Sequence, residues 1–193
     1  MKFILLITLF QFVFLENAQS QWETEQSYGL GVLALNFRDN PTSFVKKDRI
    51  NPVIVFNIAK KNLLQPMHGI AFNASPSFGI GLNVESGDLD PGFILEVPIT
   101  FQYRYGNLSE EDSESKYGAL FGIGYAFYAN TYFGKMEYEA IRNHGFILEA
   151  GAGLLWDGKP LTIKFQIIPK LNNFVLTDRL NLFGLTFLYN FSK

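Results

Sequence analysis

Residues Phe93–Tyr105, FILEVPITFQYRY, decide the fold class of this chain. Every second residue from Phe93 onward is large and apolar or aromatic, whereas Glu96, Gln102 and Arg104 belong to the alternate set. Successive side chains of a β-strand point to opposite faces of the sheet, so strict alternation over this length predicts a strand. One face of that strand must meet an apolar environment and the other a polar one.

Seven further segments have apolar, glycine-alternating or β-branched patterns that are typical of strands. They are Tyr28–Phe37, Pro52–Ala59, Ile70–Val84, Tyr117–Phe127, Phe146–Trp156, Leu161–Ile167 and Asn181–Phe191. The pattern leaves the facing of the first two open. Most of the segments are close to the roughly 9–11 residues that a tilted strand needs to cross a membrane. The sequence therefore predicts an all-β chain of eight antiparallel strands.

Composition excludes nucleic acid as a partner and disulfides as a source of stability. The 193 residues carry 16 basic and 18 acidic side chains, a net charge of −2, which provides no basic surface. Without cysteine, the fold must be held by backbone pairing and packing alone. The length corresponds to a single domain, and the 16% aromatic content stands beside only 18% charged residues.

The first residues have the pattern of a secretory signal peptide. Lys2 precedes an apolar run from Phe3 to Leu15, and Ala18-Gln19-Ser20 places small residues where a signal peptidase reads them. The apolar run is too short to cross about 30 Å of hydrocarbon as a helix. We expect a cleaved signal peptide over residues 1–20, a short periplasmic segment over 21–27 and a barrel domain over 28–193.

Each predicted strand has a first face of large apolar residues and a second face formed by the alternate residues. The composition of this second face distinguishes between two kinds of eight-stranded barrel. A soluble lipocalin-like barrel has an apolar interior and a polar exterior. Here the second face of most segments consists of Gly, Ala, Ser and Asn, which suits the crowded interior of an eight-stranded closure. Large rings on the first face suit a lipid-facing surface. The sequence favours an up-and-down transmembrane β-barrel, with a soluble barrel or sandwich as the alternative.

Aromatic residues at the strand ends give an independent indication of a membrane. If the first strand starts in the periplasm, several rings fall at the periplasmic ends of their strands, where aromatic girdles form. The predicted girdle consists of Tyr103, Tyr105, Tyr117, Trp156, Tyr189 and Phe191. On the outward side, an aromatic stretch predicts either strand extension or a contact loop for a partner. Its members are Tyr132, Phe133, Met136 and Tyr138.

The C-terminal segment LTFLYNF, Leu185–Phe191, resembles the last strand of bacterial outer-membrane proteins, whose alternate aromatic residues address the barrel assembly machinery. Together with LEVPI at Leu95–Ile99 and the glycine-alternating strands, it resembles the small outer-membrane β-barrel domain family, often called PorT-like. The resemblance covers roughly Tyr28–Phe191. It implies an eight-stranded up-and-down barrel in the lipid of a Gram-negative outer membrane, without established catalytic residues.

Four charged side chains fall on the predicted interior face. They are Glu96, Arg104, Glu149 and Lys164. An isolated charge in a narrow lumen costs several kcal/mol, so we interpret the four as a polar network of mutually neutralising groups. A substrate or proton path is the alternative. Glu149 and Lys164 lie on consecutive strands joined by a turn at Asp157, and we expect them to pair.

The sequence indicates no cofactor, metal or catalytic site. His68 and His144 are expected in different connections on opposite sides of the membrane, which argues against a shared site. The acidic run Ser109–Ser115 lacks the glycine and spacing of a calcium loop and is interpreted as a solvated connection. We expect a non-catalytic integral outer-membrane protein with a structural or interaction role. The alternatives are a narrow transport or secretion-machinery component, a membrane-embedded lipid enzyme and a secreted lipocalin-like binder.

Pro98 interrupts the strand that defines the fold. Proline has no N–H for the ladder, and a closed barrel has no free edge to accommodate it. We therefore predict either a bulge or an unpaired partner carbonyl at this position.

Overall fold

A computed structural model describes residues 22–38, 46–65, 67–85, 88–109, 115–133, 138–173 and 180–190. These residues form nine strands. They are β1 Glu23–Arg38, β2 Lys46–Gln65, β3 His68–Ala74, β4 Ser77–Glu85, β5 Asp88–Gly106, β6 Tyr117–Phe133, β7 Tyr138–Trp156, β8 Lys159–Asn173 and β9 Leu180–Asn190. No helix in the described ranges is long and apolar enough to cross a membrane.

All strands belong to one antiparallel sheet that closes on itself. β3 and β4 together occupy one position between β2 and β5, because each of them pairs with both neighbours. β1 and β9 close the ring, from Ser27↔Asn190 to Asn36↔Asn181. The nine segments therefore form the predicted eight-stranded barrel, which has no free sheet edge. We call the end where β1 begins and β9 ends the termini end, and the other the opposite end.

The strands extend beyond the periodic segments of the sequence. β1 begins at Glu23 rather than Tyr28, so most of the segment 21–27, expected to precede the barrel, forms its first rungs. Pairing continues there because β2 supplies partners for the backbone groups. Tyr132 and Phe133 belong to β6 and Tyr138 to β7, in agreement with strand extension. Met136, Phe191 and residues 1–20, predicted to form a signal peptide, lie outside the described residues.

Side chains alternate between the exterior and the interior as the sequence predicted. In β5, Phe93, Ile99 and Tyr103 are exposed, whereas the alternate residues from Ile94 to Arg104 are buried. The structure also settles the facing of the first two strands. The exposed side chains there are Tyr28, Leu30, Val32, Ile54, Phe56 and Ile58, and the buried ones include Ser27, Leu33, Val53, Val55, Asn57 and Lys61.

Of the two alternatives predicted at Pro98, a bulge or an unpaired partner carbonyl, the bulge is absent. β5 keeps one register with β6 through Pro98↔Ala126, and its register with the other neighbour is the same before and after the break at Ser75–Pro76. The Ser75 N–H donates to the Pro98 carbonyl at 3.1 Å, but Pro98 has no N–H with which to return the bond. The proline thus removes one bond from the pair and leaves the register unchanged.

The turn between β7 and β8 has the geometry that the sequence predicted. Asp157 and Gly158 have φ values of 52° and 74°, and the flanking residues Trp156 and Lys159 pair directly. Two central residues with positive φ define the type I′ turn, whose twist matches that of antiparallel strands. This tight turn lies at the termini end.

Gly124→Ala should destabilise the barrel by about 1–3 kcal/mol, the usual cost of overpacking. A Cβ at this interior position would stand 2.0 Å from the Ile99 carbonyl oxygen and 2.7 Å from Thr100 Cα, and both are backbone atoms of β5. Gly122→Ala is the matched comparison and should cost less, because its two nearest contacts, Gln102 Cγ at 3.0 Å and Glu149 Oε2 at 3.1 Å, are side-chain atoms that can shift. Denaturant unfolding in lipid vesicles measures both, and equal midpoints for the two variants would contradict the assignment.

Candidate functional site

Glu149 on β7 and Lys164 on β8 form an ion pair inside the barrel. Lys164 Nζ lies 3.1 Å from Glu149 Oε1, and the two side chains are 2% and 0% exposed. Lys164 Nζ also donates to Ser75 Oγ at 3.0 Å. Gln102 Nε2 and Thr100 Oγ1 donate to Glu149 Oε2 at 2.7 and 2.9 Å. Both ions thus have hydrogen bonds beyond the pair itself, which a buried ion pair needs to offset desolvation.

Glycines beside the pair provide the space for it. Gly122 stands opposite Glu149 on β6, and Gly151 stands opposite Lys164 on β7. A Cβ at Gly122 would lie 3.1 Å from Glu149 Oε2. Gly122, one of the alternating glycines that indicated a crowded interior in the sequence, therefore leaves space for the Glu149 carboxylate.

Arg104 has a partner that the sequence did not reveal. Its Nη1 lies 3.0 Å from both carboxylate oxygens of Glu25, and its Nε and Nη2 donate to Gln102 Oε1 at 3.0 and 2.8 Å. Lys61 Nζ lies 3.9 Å from Glu25 Oε2 and 3.4 Å from Glu23 Oε2. Glu25 and Lys61 were missed because the alternating pattern stops short of both, although they lie on the interior face of longer strands.

Glu96 is held by neutral groups. Gln166 Nε2 donates to its two carboxylate oxygens at 2.7 and 2.9 Å, and Ser77 Oγ donates at 3.2 Å. The expected mutual neutralisation of the four charges is therefore wrong in detail, since only Glu149 and Lys164 pair with each other. Among the inward-facing side chains that the structure describes as buried or half-buried, three are acids and three are bases. They are Glu25, Glu96, Glu149, Lys61, Arg104 and Lys164.

Apolar side chains fill the interior toward the opposite end. This core includes Leu33, Val53, Ile94, Tyr128, Ile147, Ile168 and Leu182, each at most 3% exposed. Among the polar interior side chains, a cavity of about 10 Å³ lies next to Glu25, Gln102, Arg104 and Lys164. A space of that size holds about one water molecule. Side chains therefore fill most of the interior that the structure describes.

The connection after β5 folds back into the termini end of the barrel. Asn107, Leu108 and Ser109 are only 2–5% exposed, and Ser109 Oγ donates to the Gly106 carbonyl at 2.8 Å. A Cβ at Gly153 would meet the Leu108 side chain at 2.6 Å, so a strand glycine provides its space. The sequence predicted a solvated connection from Ser109 onward, and this prediction is wrong at Ser109, because burial of Leu108 brings the turn into the barrel. Residues 110–114 lie outside the described residues.

Exposed rings lie along the exterior at the termini end. Tyr103, Tyr105, Tyr117 and Trp156 are 40–69% exposed, and Tyr189 is half-buried one rung before the end of β9. These are the residues that the sequence placed in a girdle, except Phe191. His68 hydrogen-bonds to Tyr103 and its ring lies 5.1 Å from that of Tyr105.

The histidines lie in strands rather than in the connections where the sequence placed them. His68 is the first residue of β3, and His144 is in β7, where it hydrogen-bonds to Tyr125. Both side chains contact aromatic rings on the exterior of the barrel. The backbones of both residues continue the strand pairing. Within the described part of the chain, no group of three His, Cys, Asp or Glu side chains is placed to hold a metal ion.

No protein-family model matches the chain, and no curated protein is significantly similar to it in sequence. Solved structures share its architecture. Ail, the attachment invasion locus protein of Yersinia pestis, solved with the heparin analogue sucrose octasulfate, aligns with a TM-score of 0.51 at 14% identity, over 88% of this chain and 99% of Ail. Neisserial surface protein A aligns with a TM-score of 0.53 at 10% identity, over 87% and 97%. At such identities the likeness concerns the fold, and this fold is the small eight-stranded antiparallel β-barrel.

Proposed function

We propose that the protein is an integral outer-membrane β-barrel with a sealed interior and a structural or interaction role. The apolar exterior carries this proposal. Each of the eight barrel positions exposes a large apolar side chain at mid-height, with exposed fractions of 42–67%. They are Leu30, Ile54, Phe78, Ile99, Ile123, Leu148, Phe165 and Leu185. Soluble monomers rarely expose a continuous apolar surface of this kind, whereas a lipid-facing barrel requires one.

We place the termini end in the periplasm. Membrane barrels have short periplasmic turns and aromatic residues at the interface, and the termini end carries the tight turn Asp157–Gly158 and the exposed rings of Tyr103, Tyr117 and Trp156. With this orientation the connections at the opposite end face outward. The contact surface predicted around Tyr132–Tyr138 is then available to a partner outside the cell.

The packed interior favours an interaction role over solute transport. An internal cavity of about 10 Å³ is far smaller than any solute path, and apolar side chains fill the lumen beyond it. The charged interior groups have protein partners and serve to hold the wall together. The alternative of a secretion-machinery component, and the PorT-like relationship, rest on the sequence resemblance alone.

Gel mobility and conductance test this proposal together. Refolded in lipid vesicles, the protein should migrate differently before and after boiling, because a folded barrel resists the detergent of the gel. In a planar bilayer it should give no discrete conductance steps, while a porin measured in parallel does. Conductance steps would favour the transport alternative. A protein that stays in the soluble periplasmic fraction without a heat-dependent shift would contradict the membrane placement.

A further inference from the structure

Lys60 is a charged residue whose outward-facing neighbours on the barrel wall are uncharged. Among the outward-facing strand residues whose side chains the structure describes, only Lys60 and Lys159 carry a formal charge, and Lys159 adjoins the turn at the barrel rim. The nearby acids are engaged by other cations, since Glu23 and Glu25 pair with Lys61 and Glu25 also pairs with Arg104. Lys60 therefore has no acidic partner within the described residues.

The position of Lys60 is close to the termini end of the wall. It pairs with Thr24, the second residue of β1, and on its other side with Phe72 of β3. Phe72 is in ring contact with Trp22, with centroids 5.9 Å apart. A lysine on the lipid face is unfavourable at the bilayer midplane and nearly neutral at the interface, so this level corresponds to the headgroup layer.

An apolar groove leads from Lys60 toward mid-height of the wall. It has a volume of about 550 Å³ and is lined mainly by exterior residues of β2, β3 and β5. These strand residues are Ile58, Lys60, Phe72, Ala74 and Ile99, and the lining is completed by Trp22, which precedes β1, and by Asn73. The rung that joins Ile58, Ala74 and Ile99 lies deeper than the rung of Lys60 and Phe72, and the small Ala74 leaves its floor open.

We propose that Lys60 and this groove bind one anionic phospholipid of the leaflet at the termini end. The Lys60 ammonium pairs with the phosphate, the Thr24 hydroxyl opposite it is within reach of the same headgroup, and one acyl chain lies in the groove. An anionic headgroup fits better than a zwitterionic one, because the site offers a cation without an acid to receive the headgroup's ammonium. This inference rests on the proposed membrane placement.

Quenching of Trp22 fluorescence tests the site, since Trp22 lines the groove. The chain has two tryptophans, so a Trp156→Phe background leaves Trp22 as the reporter. The full-length protein is refolded in phosphatidylcholine vesicles that contain a small, equal fraction of chain-brominated phosphatidylglycerol or chain-brominated phosphatidylcholine. We expect brominated phosphatidylglycerol to be enriched about fivefold at Trp22, as one lysine near an anionic headgroup provides.

The variants separate the site from general membrane attraction. Lys60→Gln should abolish the preference for phosphatidylglycerol and Lys60→Arg should keep it, while Lys159→Gln, which removes a cation at the rim, should leave it unchanged. Glycerol phosphate in solution should not compete, because the acyl chain contributes to binding. Equal quenching by the two lipids, or a preference that survives Lys60→Gln, would overturn the proposal.

Two further outcomes are distinguishable through Trp156 in the reciprocal Trp22→Phe variant. If brominated lipid quenches Trp156 but neither lipid quenches Trp22, another protein surface covers the groove, and the lipid site is wrong. If neither tryptophan is quenched by either lipid, the chain is not embedded in the bilayer, and the proposed function fails with it.

Discussion

Lys164→Met should lower the stability of the barrel by about 3–5 kcal/mol, the cost of leaving a buried charge without its partner. Glu149 is 0% exposed at its side chain, and Lys164 is the only described cation within 4 Å of it. The other hydrogen bonds to the Glu149 carboxylate come from Gln102 and Thr100, which are neutral. Met fills most of the volume of the lysine stem, so the effect reports the charge rather than a cavity. Unfolding in guanidinium, followed in lipid vesicles, measures the loss, and the temperature at which the folded gel form disappears should fall with it.

The double variant Glu149→Gln with Lys164→Met is the control for this prediction. Gln keeps an acceptor for the Gln102 and Thr100 donors while it removes the charge, so much of the lost stability should return. Lys61→Met is a second comparison and should cost less, because Glu25 retains Arg104 at 3.0 Å and Glu23 is 65% exposed. A Lys164→Met variant as stable as the parent, or a double variant less stable than the single one, would contradict the role of the pair.

The alternation of Phe93–Tyr105, together with that of the other seven segments, predicted the barrel wall. A period of two determines which residues share a face, and an aromatic face opposite one of small and polar residues determines which face is interior. The same argument places Glu149 and Lys164 on neighbouring strands with both side chains inward, since a two-residue turn fixes their register. These features are local, or depend on consecutive strands alone.

Other features depend on contacts that no local pattern contains. Glu25 meets Arg104 across the lumen, 79 residues away, and that distance is set by barrel closure. Leu108 is buried because glycines on β6 and β7 leave space for it, which no pattern within the acidic connection indicates. The break at Ser75–Pro76 lies opposite Pro98, so the ladder accommodates two prolines on adjacent strands without the bulge expected for one.

Ile123→Arg should destabilise the protein in lipid by about 2–4 kcal/mol, the cost of arginine on a barrel's lipid face at the bilayer midplane. Ile123 is 64% exposed, and it lies midway along the exterior between Tyr117 and Phe127, beside Phe101 and Leu148. If the surrounding medium were water, the same substitution at so exposed a site would change stability by no more than about 0.5 kcal/mol. The sign and size of this effect therefore report the solvent that the barrel wall meets.

Tyr117→Arg is the matched control, because it introduces the same residue on the same face of the same strand. Tyr117 is 69% exposed and belongs to the rings at the termini end, where arginine costs about 0–1 kcal/mol because its charge reaches the wet interface. Denaturant unfolding in vesicles compares the two variants. Any effect of the new arginine on the unfolded state is common to both and cancels in the difference between their free energies of unfolding. A larger loss for Ile123→Arg than for Tyr117→Arg requires a hydrocarbon layer centred near Ile123. Equal and small losses of stability in the two variants would mean that water covers the aromatic face, which would favour the alternative of a soluble barrel.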